Sequence, residues 1–102
     1  MKGCLSVFVT TSSRQEAENI ARVAVEENHA ACANILPAIH SLYRWKGRVE
    51  EAQECALILK TTAEKFDLLQ RRIIEIHSYE CPCIVATEIV AGSEEFLNWI
   101  KE

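Results

Sequence analysis

Apolar and polar positions along the chain sort into short runs of two different periods. Residues 4–11, Cys4-Leu5-Ser6-Val7-Phe8-Val9-Thr10-Thr11, are almost continuously apolar and predict a centrally placed strand. Ser12 or Ser13 then caps a helix, with Ser13-x-x-Glu16 at capping-box spacing. Ala17, Ile20, Ala21, Ala24 and Val25 recur at helical intervals and leave Glu16, Glu18, Arg22 and Glu26 outside, until Asn28-His29 ends the helix. A second strand begins at Ala31. Pro37 interrupts it, and because proline cannot donate to a ladder, a bulge or an edge position is expected there. The chain turns at Lys46-Gly47 and returns from Arg48 to Lys60, with Cys55–Leu59 as the buried part and Glu50, Glu51, Gln53 and Glu54 as a polar outer part. Thr61-x-x-Glu64 is a second capping box, followed by a helical stripe of Phe66, Leu69, Ile73 and Ile76 that stops near His77. Cys83–Val90 reads as a fourth strand, and Gly92-Ser93 opens a short last helix with Phe96, Trp99 and Ile100 on one side.

The order β-α-β-β-α-β plus a terminal helix predicts an α+β, ferredoxin-like sandwich in a single domain, residues 1–102. Its second and third strands form an extended hairpin, and a short C-terminal helix ends the chain. Strand alternation sets Ile39, Ser41, Tyr43 and Trp45 on one face of that hairpin, and His40, Leu42 and Arg44 on the other. A hairpin this long outgrows the core of a small domain, so Tyr43 and Trp45 near its tip are expected to anchor an interface with another copy of the chain. The sheet face away from the helices also carries apolar residues with nothing in the chain left to cover them, which argues separately for an oligomer.

Composition narrows the function. The net charge of −4, from 11 basic and 15 acidic residues, gives no basic face for nucleic acid and is compatible with cationic ligands. No apolar run approaches the roughly 20 residues of a membrane span, and the amino-terminal residues lead straight into a strand instead of a signal peptide, so a cytoplasmic location is expected. The five cysteines, at 4, 32, 55, 81 and 83, contain no C-x-x-C pair, which weighs against structural zinc and iron–sulfur sites. In a reducing cytosol they are free thiols, and Cys4 and Cys55 read as core.

His77-Ser78-Tyr79-Glu80-Cys81-Pro82-Cys83 is the densest cluster of ligand-type side chains. His77 falls at the C-terminal end of a helix, where the dipole favours a cation. Tyr79 and Glu80 come next in the loop, within reach of the same space. Cys81 and Cys83, if extended, point the same way with Cα atoms roughly 6.6 Å apart. That is near the limit for a disulfide but suits two thiolates converging on a soft ion. The competing reading is plain: His77 caps helix carbonyls and the cysteines fill strand-start positions. His29 and His40 lack evident partners and read as surface residues.

Four blocks carry a resemblance: Ala31-Cys32-Ala33-Asn34-Ile35, the hairpin Ser41–Glu51, Leu59-Lys60-Thr61-Thr62, and His77-Ser78-Tyr79-Glu80. In this order and spacing they resemble the CutA family of divalent-cation tolerance proteins, and the similarity runs from Val7 to Ile100. The resemblance implies a ferredoxin-like subunit, a tight homotrimer and a role in metal-ion tolerance. The family has His-Pro-Tyr-Glu where this chain has His77-Ser78-Tyr79-Glu80, so Ser78 departs from it; Cys81 and Cys83 lie outside the family pattern. Cys32 stands in a matched block and joins His77 and Glu80 as a metal donor on this reading, sulfur with imidazole suiting copper first and zinc second. Taken alone, a cysteine between alanines in a strand is more often core packing. Lys60 and Tyr79 would line a cleft, Lys60 pairing with Glu80 across subunits or with an anion, or simply ending a strand in solvent.

Three functions are compatible with these features. The first, preferred, is a trimeric protein that binds copper-type divalent ions between subunits through His77, Glu80 and Cys32. A signalling trimer similar in architecture to the PII proteins would instead bind a small anionic effector through Lys60, Arg44 and Lys46, although no Gly-rich phosphate loop supports it. The third is a trimeric scaffold that displays partner surfaces. An enzyme is not expected, since no Ser-His-Asp or Cys-His order identifies an activated nucleophile.

Overall fold

The computed structural model describes residues 3–102. Its elements are β1 (Cys4–Thr11), α1 (Arg14–Glu26), β2 (Cys32–Trp45), β3 (Arg48–Thr62), α2 (Ala63–Ile76), β4 (Ile84–Glu88) and α3 (Glu94–Ile100). The strands form one sheet in the order β2-β3-β1-β4, and every neighbouring pair is antiparallel. This is the expected ferredoxin-like α+β sandwich.

Period-2 alternation divides the sheet into two faces. Val7, Val9, Leu57 and Leu59 point to the helices and meet Ile20 of α1 and Leu69 and Ile73 of α2, all at most 1% exposed. On the opposite face, Phe8 lies between Ile58 and Val85 in the pairing register, and Leu36 stands opposite Ala56. Phe8, Leu36 and Val85 are exposed in the isolated chain. The uncovered apolar face expected from the sequence is therefore present.

The hairpin projects as an arm. β2 and β3 pair from Cys32 opposite Lys60 to Trp45 opposite Arg48, with one register shift between Leu36 and Ile39 that brackets Pro37. Proline's missing donor is accommodated in that bulge, and Cys55 Sγ donates to the Pro37 carbonyl at 2.9 Å. The turn places both Lys46 (φ 51°) and Gly47 (φ 79°) in the left-handed region, as a two-residue hairpin of the type I′ class requires. The arm stretches the molecule to 43 × 25 × 22 Å.

Several local expectations are corrected. The cap of α2 is Thr62, whose hydroxyl accepts from Lys65 N–H at 3.3 Å. Thr61 is buried instead and donates to the His29 carbonyl at 2.7 Å. Strand alternation points Thr61 inward with Leu59, so its hydroxyl is not free to cap. β4 covers only Ile84–Glu88, because Pro82 keeps the preceding residues out of the ladder. In α3 the buried residues are Leu97 and Ile100, which pack on Cys4, while Phe96 and Trp99 face outward with ring centroids 5.4 Å apart. In α1, Val25 is exposed, and the Glu16 side chain is only 12% exposed. Glu54 is buried at the root of the arm and does not belong to its polar exterior. His40 and His29 have partners: Glu51 at 2.8 Å across the arm, and Glu27 at 3.3 Å.

Leu57 is wholly buried between sheet and helices, so Leu57→Ala is expected to cost about 2–5 kcal/mol through lost transfer energy and the residual cavity. Urea denaturation measures it; a loss within the ~0.5 kcal/mol of an ordinary surface change would contradict this packing.

Candidate functional site

The segment from His77 to Cys83 leaves the end of α2 and is held at three points. His77 ends the helix, its N–H donating to the Ile73 carbonyl at 2.9 Å. Its side chain is wholly buried. Nε2–H donates to the Thr10 carbonyl at 2.8 Å, and Nδ1 accepts from Tyr79 N–H at 3.1 Å. Donation at one nitrogen and acceptance at the other call for the neutral Nε2–H tautomer. The ring also lies 4.7 Å from the Tyr79 ring. Both nitrogens of the expected metal donor are thus already occupied within the fold.

The second point is Glu16, in the first turn of α1. Ser13 caps that helix as expected, accepting from Glu16 N–H at 3.1 Å, but the carboxylate reaches back to Ser12 and not to the cap itself. Oε1 accepts from both Ser12 N–H and Ser12 Oγ at 2.9 Å, and Oε2 accepts from Ser78 N–H at 2.7 Å. Burial alone would raise its pKa, but these hydrogen bonds outweigh burial and bring it from the ordinary 4.5 down to about 2.

The third point is Tyr79, whose hydroxyl donates to Glu54 Oε2 at 2.5 Å. Burial first, and then the hydrogen bond and charge of Glu54, push the phenol's pKa up. Tyr79 is therefore a firm donor and a poor nucleophile.

These ties aim Glu80, Cys81 and Cys83 into a cleft of about 640 Å³ between the loop and the arm. The arm contributes Ser41, Leu42, Tyr43 and Trp45, and Thr10 and Glu54 form the floor. The described lining residues include two carboxylates and two thiols, and none is Lys, Arg or His. A cation would meet a favourable field there and an anion would not.

The remaining expected site residues lie elsewhere. Cys32 is opposite Lys60, which is opposite Ser6, and by alternation all three belong to the uncovered sheet face. Thr10, which holds His77, is four residues further along β1, roughly 13 Å at the usual strand rise. Lys60 donates to Asn34 Oδ1 at 3.4 Å and does not line the cleft. Among the described residues no group of three or more His, Cys, Asp or Glu side chains is arranged to hold a metal ion. One chain thus brings together His77, Tyr79 and Glu80, and leaves Cys32 and Lys60 apart from them. Sequence reasoning missed Glu16, Glu54 and Thr10. Glu16 was visible as a capping residue; its bond to Ser78 spans 62 positions and leaves no local signal.

A ferredoxin-like fold with a projecting β2-β3 arm, whose root faces the loop after α2, places the protein in its class. Residues 5–102 match the CutA1 divalent ion tolerance protein family. The chain belongs to that family. It is 45% identical over 96 residues to the divalent-cation tolerance protein CutA of Thermus thermophilus, covering 94% of this chain and 93% of that one. A CutA of the same description from Archaeoglobus fulgidus matches at 45% identity over 96 residues, with the same coverage. Among solved structures, CutA of Xylella fastidiosa superposes with a TM-score of 0.95 at 36% identity, covering 98% of this chain and 96% of that one. The T. thermophilus protein gives 0.93 at 43% identity, with coverage of 95% and 94%.

Because Glu16 has its pKa lowered by folding, its stabilisation is complete above the ordinary value of 4.5 and is lost as pH falls toward about 2. Glu16→Gln is expected to be less stable at neutral pH and to flatten the parent's loss of stability across that window. Urea midpoints taken from pH 2 to 7 test this, and parallel curves for the two proteins would remove Glu16 as the clamp.

Proposed function

We propose that this member of the divalent-cation tolerance family is a homotrimer that binds copper-type divalent ions, zinc being the second choice, at sites completed between subunits. The observation that carries the reading is the cleft, whose lining carries the carboxylates of Glu54 and Glu80 and no opposing cationic side chain. Glu80 supplies a carboxylate to an ion there. His77 would coordinate only by giving up the Tyr79 N–H bond at Nδ1 or the Thr10 bond at Nε2. Cys32, on the uncovered face, can contribute only to a site that a neighbouring subunit completes. The exposed apolar residues of the arm, Leu42, Tyr43, Trp45 and Val49, supply surface for the assembly. This is a binding role and not an enzymatic one, set in the cytoplasm, where the thiols stay reduced.

The anionic-effector alternative draws less support, because Arg44, Lys46 and Lys60 are not among the residues lining the cleft. The scaffold alternative shares the arm and needs no ion.

Native mass spectrometry of the reduced, metal-stripped protein, titrated with copper(II) and zinc(II), tests assembly and binding together. A trimer that gains ions in saturable steps of three is expected, with weaker uptake after Glu80→Gln. A trimer that takes up no ion would sink the binding role and favour the scaffold, and a monomer would sink the assembly.

Trp45 is 39% exposed in the isolated chain and carries the Lys46 ammonium 5.7 Å from its ring centroid. As an interface anchor its removal is expected to be costly. Trp45→Ala should dissociate the trimer at low micromolar concentration, where light scattering of the parent still reports the trimer mass. Unchanged mass would refute the anchor.

A further inference from the structure

Five thiols divide by environment. Cys4 and Cys55 are buried, and their Sγ atoms lie at 3.7 Å from the Leu97 carbonyl and 2.9 Å from the Pro37 carbonyl. Cys32 is partly covered and stands alone on the uncovered sheet face. Cys81 is exposed, Cys83 is half-buried, both line the same cleft, and neither has a hydrogen-bond partner among the described residues. Two accessible thiols, separated by a single residue and open to one space, are a chemical group in their own right.

The residue between them is Pro82, which has a fixed φ and no N–H and so limits the freedom of the backbone linking the two thiols. Separated by one residue, their Cα atoms lie within about 7 Å of each other whatever the backbone conformation. Sulfurs on opposite sides of a linearly coordinated ion stand about 4.6 Å apart, twice a metal–sulfur distance of about 2.3 Å. That span is within reach of two cysteines whose Cα atoms are no more than about 7 Å apart. The loop ahead is held by Ser78 N–H on Glu16 and by Tyr79 on Glu54, so the pair is carried on a tethered segment. The nearby Glu80 and Glu54 add negative potential and disfavour anionic ligands.

We propose that Cys81 and Cys83 form a two-coordinate dithiolate site for a soft monovalent ion of the copper(I) class. Thiolate is the ligand that selects such ions over the harder divalent ones. Binding exchanges two thiol protons for one ion: two S–H bonds are lost, two S–metal bonds form, and the metal keeps its oxidation state. The site bears one net negative charge, and both of its donors come from one chain. It goes beyond the divalent-ion reading and does not depend on it.

The test is competition for copper(I) held by bicinchoninate, using the whole reduced protein. The parent is expected to withdraw one copper(I) per chain. Cys81→Ser and Cys83→Ser should each weaken uptake by more than about tenfold, the loss that even an outer-shell partner can cause. Cys32→Ser, on the uncovered sheet face, should leave it unchanged. X-ray absorption of the loaded parent should show two sulfur neighbours and no nitrogen or oxygen. Silver(I), which needs no reductant, should displace the copper with the same stoichiometry. Equal uptake by either Cys81 or Cys83 variant, or loss of uptake in Cys32→Ser, would overturn the proposal. Titration of the same variants with zinc(II) keeps the two readings separate, since failure of the dithiolate leaves divalent uptake intact, and failure of the divalent site leaves copper(I) uptake intact.

Discussion

The pairing of β1 with β3 is the constraint on which the rest of the molecule depends. It runs without interruption from Cys4 opposite Thr62 to Thr11 opposite Cys55. On one face it aligns Val7 and Val9 with Leu57 and Leu59 and so defines the surface that both helices cover. At its far end the Thr11 hydroxyl lies 3.1 Å from the Cys55 carbonyl and 3.0 Å from that of Ser13, linking strand pairing to the start of α1. β3 is longer than β1 can cover. Its unshared part has only β2 as a neighbour, and the pair leaves the body as an arm. The projecting hairpin is thus a consequence of unequal strand lengths around one central register.

The cleft is built at the same end of that register. The last carbonyls of β1, the first turn of α1 and the root of the arm supply Thr10, Glu16 and Glu54, and the loop after α2 commits His77, Ser78 and Tyr79 to contacting them. Each contact is a hydrogen bond to a carbonyl or a charged carboxylate in a partly buried setting, where such bonds gain strength over their counterparts in water. The second half of the loop is left free. Glu80, Cys81 and Cys83 face the opening because their neighbours are tethered. A second tie, from Arg72 to both oxygens of Glu27, holds α2 to the end of α1 and so steadies the helix that delivers the loop.

Local periodicity carried most of the fold. The apolar run of β1, the stripe Leu69 and Ile73, the Pro37 interruption and the Lys46-Gly47 turn are each set by residues within a few positions of one another, and they are where the sequence placed them. The errors share another origin. Whether Thr61 or Thr62 caps α2 depends on which of them points into the core, and which side of α3 is buried depends on Cys4, more than ninety positions away. In the loop, residue types pointed correctly to a polar constellation, but a histidine, a tyrosine and a glutamate spell the same pattern whether they are ligands or ties. Only the Thr10 carbonyl and the Glu54 carboxylate, distant in sequence, separate the two.

That distinction bears on what family membership means for this chain. His77 and Tyr79, two of the residues in the resembling block, satisfy their polar atoms within the chain. Those bonds turn the backbone and orient the residues from Glu80 to Cys83. Cys81 and Cys83, outside the pattern, are the side chains left open to the cleft. A clamp built from resembling residues can present different donors at its mouth without disturbing the fold, because the exposed positions carry little of the packing energy. Glu80 sits at the boundary, matching the family and facing the cleft, and is the matched residue of this loop with a carboxylate free for an ion. Hard oxygen and soft sulfur side chains thus line one cleft from a single tethered loop, and the two differ in the class of ion they favour.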